Sequence, residues 1–157
     1  TVQGQAAHHG SSQCAGFYIG TGHFVGAQVV GANFNGQSYR IWKEMTLDSA
    51  VRLRHAPGGH PLAGIHGHTF TLRLHLAAPL DEVMGWVQDF GDVKTRFKPF
   101  YQQLDHYPLD QVDGLSVANC AGIAQWAAAK LANTPELCRV DVYQRPGEGS
   151  LFSVEAA

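Results

Sequence analysis

The chain of 157 residues is long enough for one domain with a buried core, and its net charge of -2 leaves no basic surface for nucleic acid or an anionic membrane. No apolar run approaches the roughly 18 residues of a membrane span. The sequence also lacks the pattern of a secretion signal, in which charged residues precede a short apolar core, so we do not expect secretion. The three cysteines, Cys14, Cys120 and Cys138, show no metal-type spacing and favour a reducing cytoplasm. We therefore expect small molecules or protein surfaces as partners, with no nucleic acid and no membrane.

Residues 1–37 are expected to form an N-terminal extension, and residues 38–157 a single domain. Residues 1–16 are rich in Gly, Ser and Ala, which is typical of a flexible terminus. The following stretch turns apolar and ends in the turn-forming pair Asn35-Gly36, so it predicts an extra hairpin within the extension.

Two extended segments, residues 38–53 and 66–78, flank a loop rich in Pro and Gly. In the second segment apolar residues recur at every other position from Phe70 onward, which predicts a half-buried strand. Antiparallel pairing of the two segments would set a residue near position 50 beside His66 and His68. We expect both imidazoles to project from the polar face of the sheet.

The His66-Gly67-His68 spacing points to a metal, because residues two apart on a strand share a face and two imidazoles can then reach one ion. A catalytic zinc normally takes three protein ligands, so this pair requires a third from a neighbouring strand. The alternative interpretation is a pair of surface histidines beside a turn glycine.

Two helices and a closing hairpin are predicted after the histidine strand. The first helix begins near Asp92, and Pro99 within it predicts a kink or a break. The second runs from about residue 117 to residue 132, with Ser116 or Asn119 as its cap. Residues 137–143 and 150–154 form the predicted hairpin around a turn at 145–149.

With these features in order, the chain resembles the 6-pyruvoyl-tetrahydropterin synthase family, and most of all its bacterial branch, the 6-carboxytetrahydropterin synthases of queuosine synthesis. The resemblance implies an α+β tunnelling fold (T-fold): a four-stranded antiparallel sheet with two helices on one face, assembled into trimers or hexamers. The matching segments are Asp48-Ser49-Ala50-Val51-Arg52-Leu53, Gly59-His60, His66-Gly67-His68-Thr69-Phe70, Gly85-Trp86-Val87-Gln88-Asp89-Phe90, Phe97-Lys98-Pro99 and Leu104-Asp105-His106.

The resemblance also implies site residues, some kept and some replaced. Zinc would be held by His66 and His68, acid–base chemistry would use Asp105 and His106, and the pterin would contact the positions of Gln144 and Ser116. By this resemblance, Val51 replaces the first zinc histidine, Leu62 replaces the catalytic cysteine, and Gln144 replaces the pterin-anchoring glutamate. In the motif that begins the second helix, Ser116 replaces a threonine and Ala118 replaces a glutamate.

Other residues could in principle supply the missing groups. The remaining imidazoles that could act as a third ligand are His55, His60, His75 and His23, and the thiols are Cys14, Cys120 and Cys138. Without a third ligand zinc should bind far more weakly, because two imidazoles leave its coordination incomplete.

The functional hypothesis is a homo-oligomer that binds a pterin-type or related small molecule between subunits, with its zinc-dependent lyase activity lost or reduced. Two alternatives stay open. One is an active, divergent zinc-dependent 6-carboxytetrahydropterin synthase, and the other is a non-catalytic structural or sensing subunit.

Overall fold

A computed structural model describes residues 38–154 of the chain, so the predicted extension over residues 1–37 and its hairpin lie outside the described residues. The described part is an antiparallel sheet with strand order β1-β2-β3-β4 and two α-helices packed on one face, which confirms the predicted α+β fold. Within these residues no helix is long and apolar enough to cross a membrane. The elements are β1 (Tyr39–Val51), β2 (His66–Ala78), α1 (Phe90–Leu104), α2 (Cys120–Lys130), β3 (Leu137–Arg145) and β4 (Glu148–Ser153).

Strands β1 and β2 pair in the predicted antiparallel sense over their full length. Val51 lies opposite His66, and Ser49 lies opposite His68. The loop between the strands contains a short 3-10 helix, Pro61–Ala63, and the main-chain N–H of Leu53 donates to the carbonyl oxygen of Leu62 at 2.9 Å. This bond holds the end of the loop against the end of β1.

The face on which the two histidines lie was predicted wrongly. His66 and His68 have the same parity along β2 as Phe70 and Leu72, which are fully buried in the core. Since side chains alternate across a strand, both imidazoles project to the helix-covered, apolar side, at the end of the sheet where the core stops. The polar residue Arg73 lies on the opposite face with Glu44 as its register partner.

Of the predicted kink or break at Pro99, the break does not occur, because α1 continues through this residue. Its buried residues are Val93, Phe97 and Leu104. Pro99 itself is exposed, so the carbonyl that loses its helical hydrogen bond can be hydrated on the outer face of the helix. Asp89 caps the helix by accepting a hydrogen bond from the main-chain N–H of Gly91.

The remaining elements differ from their predictions mainly at their ends. Asn119 is the cap of α2, and its Oδ1 accepts from the N–H of Gly122 at 2.9 Å. Strands β3 and β4 are joined by a tighter turn than predicted, formed by Pro146 and Gly147. Gly147 adopts a φ of 89°, which a side chain would disfavour, so the strands extend closer to the turn than the Gly-rich sequence indicates.

Candidate functional site

The predicted site residues gather at one end of the sheet. Val51 ends β1, His66 begins β2, and Gln144 precedes the last residue of β3. Because neighbouring strands run antiparallel, these three ends meet at the same edge of the molecule. Ser116 reaches this end through the segment that leads into α2, and its side chain lines a cavity with Arg52.

His66 and His68 form a close pair. Their ring centroids lie 4.8 Å apart in an edge-on arrangement. The centroid of the His68 ring also lies 5.7 Å from that of Phe70. The Nδ1 of His66 is 3.0 Å from the carbonyl oxygen of Gly64, so it must carry the proton. The lone pair of a neutral His66 is then on Nε2, a buried atom with no hydrogen-bond partner within residues 38–154.

The surroundings of the second imidazole, His68, favour its neutral form. Partial burial of the His68 ring, and then the positive charge of a protonated His66, lower the pKa of His68. Neutral imidazoles with free lone pairs are the form that metals bind. The pair therefore has the properties of two ligands.

The third ligand position does not fit a zinc ion. Val51, opposite His66, is 4% exposed and packs in the core, and its side chain has no lone pair. Ser49, opposite His68, donates its hydroxyl proton to the carbonyl oxygen of Leu104 at 2.7 Å. Among residues 38–154 there is no group of three or more His, Cys, Asp or Glu side chains that could hold a metal. The described residues thus do not make a three-ligand zinc site.

The alternative histidines do not complete this pair. The Nδ1 of His60 accepts a hydrogen bond from the N–H of Leu62 at 3.1 Å, so in the neutral ring the proton occupies Nε2 and neither nitrogen offers a free lone pair. His75 lies on the other face of the sheet, where its Nε2 is 2.9 Å from Asp141. His55 lines the cavity beside Arg52, and His23 lies outside the described residues.

Asp105 and His106 form the predicted dyad, immediately after α1. The Nδ1 of His106 lies 2.9 Å from Oδ2 of Asp105, and the imidazole is 77% exposed. His106 has a φ of 55°, a left-handed conformation that costs free energy in a non-glycine residue. The surrounding structure must therefore stabilise this backbone conformation, which places the imidazole at the surface.

The charges of the dyad reinforce each other. The hydrogen bond and negative charge of Asp105 raise the pKa of His106. Burial by itself would raise the pKa of Asp105, but the hydrogen bonds from the main chain of Asp48 and from His106 outweigh it and hold the pKa below its usual value. Asp105 therefore orients the His106 ring and favours its protonated form, which suits the exchange of a proton or the binding of an anion through Nε2.

The two predicted substrate-binding residues are exposed. Ser116 lines a cavity of about 370 Å³ together with Arg52 and Ala118. Gln144 follows Tyr143, whose partner on β2 is Thr71, so extending this register by one residue places Gln144 beside Phe70 on the side of the histidine pair. The structure brings both residues to the same end of the sheet as His66.

Neither thiol chemistry nor a substitute for it is found at the expected places. Leu62, at the position where the resemblance predicts a cysteine, has an apolar side chain that is 38% exposed on the loop. Cys120 begins α2 as a half-buried free thiol, and burial raises its pKa, which keeps it in the protonated, unreactive form. Cys14 lies outside the described residues.

Sequence reasoning missed the residues that support the dyad and the cavity. Asp48 holds both members of the dyad through its main chain, and Thr69 donates to Oδ1 of Asp48 at 2.5 Å. Asp110 binds Arg52 and Arg54, which lie more than 50 residues away along the chain. The available signal was the pair of arginines at positions 52 and 54, but the tertiary fold sets which distant carboxylate they contact.

Comparison with known proteins places this geometry in a family. The family model described as 6-pyruvoyl tetrahydropterin synthase matches residues 40–155, which include β1 from its second residue onward, the histidine strand, the dyad and Gln144. The chain belongs to the 6-pyruvoyl tetrahydropterin synthase family. It is 33% identical over 111 residues to the 6-carboxy-5,6,7,8-tetrahydropterin synthase of Synechocystis, an alignment that covers 66% of this chain and 84% of that protein.

Solved structures support the fold of this family member. The 6-pyruvoyl tetrahydropterin synthase of Caenorhabditis elegans matches with a TM-score of 0.66 and 18% identity, over 75% of this chain and 96% of that chain. The corresponding protein of Plasmodium falciparum matches with a TM-score of 0.56 and 15% identity, over 75% and 98% of the two chains. The family resemblance and the tunnelling fold predicted from the sequence are confirmed.

Proposed function

We propose that this member of the 6-pyruvoyl tetrahydropterin synthase family binds a pterin-type or related small molecule between the subunits of a homo-oligomer, a trimer or hexamer, and that its zinc-dependent lyase activity is lost or strongly reduced. The observation that carries the proposal is the buried, apolar Val51 directly opposite His66. Two imidazoles without a third ligand hold zinc weakly, so the metal would not be retained at cellular concentrations.

The lack of a nucleophile at position 62 also supports a loss of lyase activity. Leu62 cannot form a thiolate or accept a proton, and the thiol of Cys120 is kept protonated by burial at the start of α2. The Asp105–His106 pair remains as a single base. One base without its partner acid can orient a ligand or take up one proton, but it does not complete a two-site proton relay.

The change at Gln144 bears on the ligand. A carboxylate accepts hydrogen bonds from both the N3–H and the 2-amino group of a pterin, whereas an amide has one acceptor and sets its NH₂ against a donor. An unpaired polar group at a buried contact costs about 1–3 kcal/mol, or roughly tenfold or more in affinity. The pterin is thus expected to bind more weakly, and a ring with a different donor and acceptor edge to bind better.

The test restores the two missing groups. Wild-type protein loaded with zinc should retain far less than one zinc per subunit after gel filtration and should release no acetaldehyde from dihydroneopterin triphosphate. The double variant Val51→His, Leu62→Cys should gain zinc affinity by about 100-fold or more, because a third imidazole then faces His66 and His68. Val51→Ala with Leu62→Cys is the matched control, and it should gain none. Robust turnover by the wild-type protein would overturn the proposal.

A second candidate function, an active and divergent 6-carboxytetrahydropterin synthase, is favoured by two observations. His66 has a buried Nε2 that finds no hydrogen-bond partner among residues 38–154, and Asp105 and His106 remain hydrogen-bonded to each other. This candidate requires a third zinc ligand from outside residues 38–154, and it predicts about one tightly held zinc per subunit of the wild-type protein. Metal analysis after zinc loading separates the two functions.

A further inference from the structure

A cavity opens where the chain leaves β1. It has a volume of about 370 Å³, within the range of small-molecule pockets, and it lies between the residues that follow Val51 and the segment that precedes α2. The residues that determine its chemistry are Arg52, Arg54, Asp110, Ser116 and Ala118.

The charges of this cavity are unbalanced. Arg52 donates from Nε and Nη2 at 3.0 and 2.8 Å, and Arg54 donates from Nε at 2.8 Å, all to the single oxygen Oδ2 of Asp110. The hydrogen bonds from Arg52 and then Arg54 lower the pKa of Asp110, so its carboxylate is ionised at neutral pH. Two cations sharing one anion leave the cluster with a net positive charge.

The positive groups face outward and the negative group does not. The side chain of Asp110 is 7% exposed, whereas those of Arg52 and Arg54 are 36% and 55% exposed. An approaching ligand therefore meets guanidinium groups before it meets the carboxylate. The buried carboxylate of Asp110 orients the two arginines and leaves their solvent-facing N–H groups accessible.

Unused hydrogen-bond donors remain on these outer edges. A guanidinium has five N–H donors, and both Nη groups of Arg54 and Nη1 of Arg52 make no hydrogen bond within the described part of the chain. The two Nη groups of one arginine match the two oxygens of a carboxylate or phosphate. The hydroxyl of Ser116, in the same cavity, is likewise without a hydrogen bond in residues 38–154.

Apart from the imidazole of His55, the rest of the cavity wall is apolar. Ala118 is 6% exposed, and Leu53, Leu115 and Val117 complete this side of the cavity. Ala118 occupies the position at which the family resemblance predicts a glutamate. A carboxylate there would compete with a bound anion for the arginines, and alanine removes that competition.

We propose that this cavity binds a small molecule with an anionic group, a carboxylate or a phosphate, on a compact apolar body. The anionic group is held by the fork of Arg54 with help from Arg52 and the Ser116 hydroxyl, and the apolar body lies against Leu53 and Ala118. The inference names the class of ligand for the small-molecule binding put forward under Proposed function, and it rests on that proposal for the use of this cavity.

The experiment titrates the full chain at low ionic strength with pyrophosphate in one arm and malonate in the other, following the arginine Nε–Hε signals by NMR. We expect saturable binding of at least one anion, and the arm that binds more tightly identifies the phosphate or the carboxylate as the preferred group. Arg54→Gln should weaken binding by about tenfold or more, because a charge-assisted bidentate contact is lost. Arg54→Lys keeps the positive charge but not the two parallel donors of the guanidinium. Its affinity for the anion should lie between those of the wild-type protein and Arg54→Gln.

The matched control is Arg96→Gln, a change at a 46% exposed arginine on α1 that lies 3.6 Å from Glu136 and outside the cavity. It should bind both anions like the wild-type protein. No saturable binding in either arm, or equal affinities of the wild-type protein and both Arg54 variants, would overturn the inference.

A parallel titration with pterin, which carries no acidic group, separates this inference from the proposed function. Pterin binding without any Arg54-dependent anion binding would overturn the anion site and leave the proposed function standing. Anion binding through Arg54 without pterin binding would support the anion site and count against a pterin ligand.

Discussion

The main-chain N–H of His106 donates to the carbonyl oxygen of Asp48 at 2.6 Å, while the N–H of Asp48 donates to Oδ1 of Asp105 at 3.0 Å. One residue of β1 therefore fixes both members of the dyad through its main chain. Ser49 also donates to the carbonyl oxygen of Leu104, the last residue of α1, at 2.7 Å. Three consecutive residues at the end of α1 are therefore hydrogen-bonded to the edge strand β1. This edge contact explains how an exposed imidazole is held at a φ of 55°.

Asp105→Asn should lower the pKa of His106. The amide still accepts from the N–H of Asp48, but it carries no charge to stabilise the imidazolium, whose pKa is raised first by the Asp105 hydrogen bond and then by its charge. A titration of the His106 Hε1 signal by NMR measures the change. Asp92→Asn, at an exposed carboxylate in the first turn of α1, is the control and should leave the His106 midpoint unchanged. An unaltered midpoint in Asp105→Asn would contradict a dyad role.

The same pair should make stability depend on pH in a defined direction. His106 has a folded-state pKa above its unfolded value of about 6.5, so its contribution is fully present below that value and is lost as the pH rises through the folded-state pKa. Urea unfolding of the wild-type protein and of Asp105→Asn should therefore differ more at pH 5.5 than at pH 9. A difference that grows with pH would show that His106 is not paired in solution.

Ser49→Ala should destabilise the protein by about 1–2 kcal/mol. Ser49 is 5% exposed, and its replacement leaves the carbonyl oxygen of Leu104 without its partner in a buried setting. Urea unfolding monitored by circular dichroism measures the loss. Ser153→Ala, at an exposed position near the end of β4, should change the free energy of unfolding by no more than about 0.5 kcal/mol. Equal effects of the two substitutions would show that the buried bond contributes little.

The parts of the fold that local periodicity encodes were predictable. Alternation from Phe70 onward identified β2, and the pairing with β1 placed a residue near position 50 beside the histidines, where Val51 lies opposite His66. The face of His66 was predicted wrongly because the polar character of histidine was given more weight than its even spacing from Phe70 along the strand. A histidine in register with Phe70 lies on the core side, and its position at the end of the strand keeps it partly exposed.

Features that depend on distant residues were not predictable. Asp110 joins Arg52 across 58 positions of the chain, and no periodic pattern relates residues at that separation. The continuation of α1 through Pro99 depends on which face is buried, since an exposed proline leaves a carbonyl that water can reach.

Gly122→Ala should destabilise the protein by about 1–3 kcal/mol and alter the segment that carries Ser116. A Cβ at position 122 would lie 1.9 Å from the carbonyl oxygen of Val117, so the first turn of α2 and the cavity wall could not keep their present contact. Thermal unfolding and the NMR signal of the Ser116 amide measure the two effects. Gly58→Ala, where a Cβ would have no atom within 4 Å, is the control. Unchanged stability in Gly122→Ala would mean that the segment before α2 can move away freely.

Glu44→Gln should weaken the sheet face opposite the helices, and the loss should fade in acid. Glu44 accepts hydrogen bonds from the guanidinium of Arg73 and the hydroxyl of Tyr143, and the Arg73 guanidinium lies 5.7 Å from the Trp42 ring centroid. Burial opposes the ionisation of Glu44, but these two partners outweigh it and hold the pKa below its usual value.

The sign of the Glu44 effect follows from that lowered pKa. The contribution of ionised Glu44 to the free energy of unfolding is present above the unfolded-state pKa of about 4.3, and it is lost as the pH falls through the folded-state pKa. Because the side chain is 41% exposed, solvent screening limits the expected loss in Glu44→Gln at pH 7 to about 0.5–1 kcal/mol. Urea unfolding at pH 7 and pH 3 measures it. Glu148→Gln, at a 56% exposed carboxylate paired with Arg145, should lose less at pH 7, and equal losses would contradict a special role for the Arg73 contact.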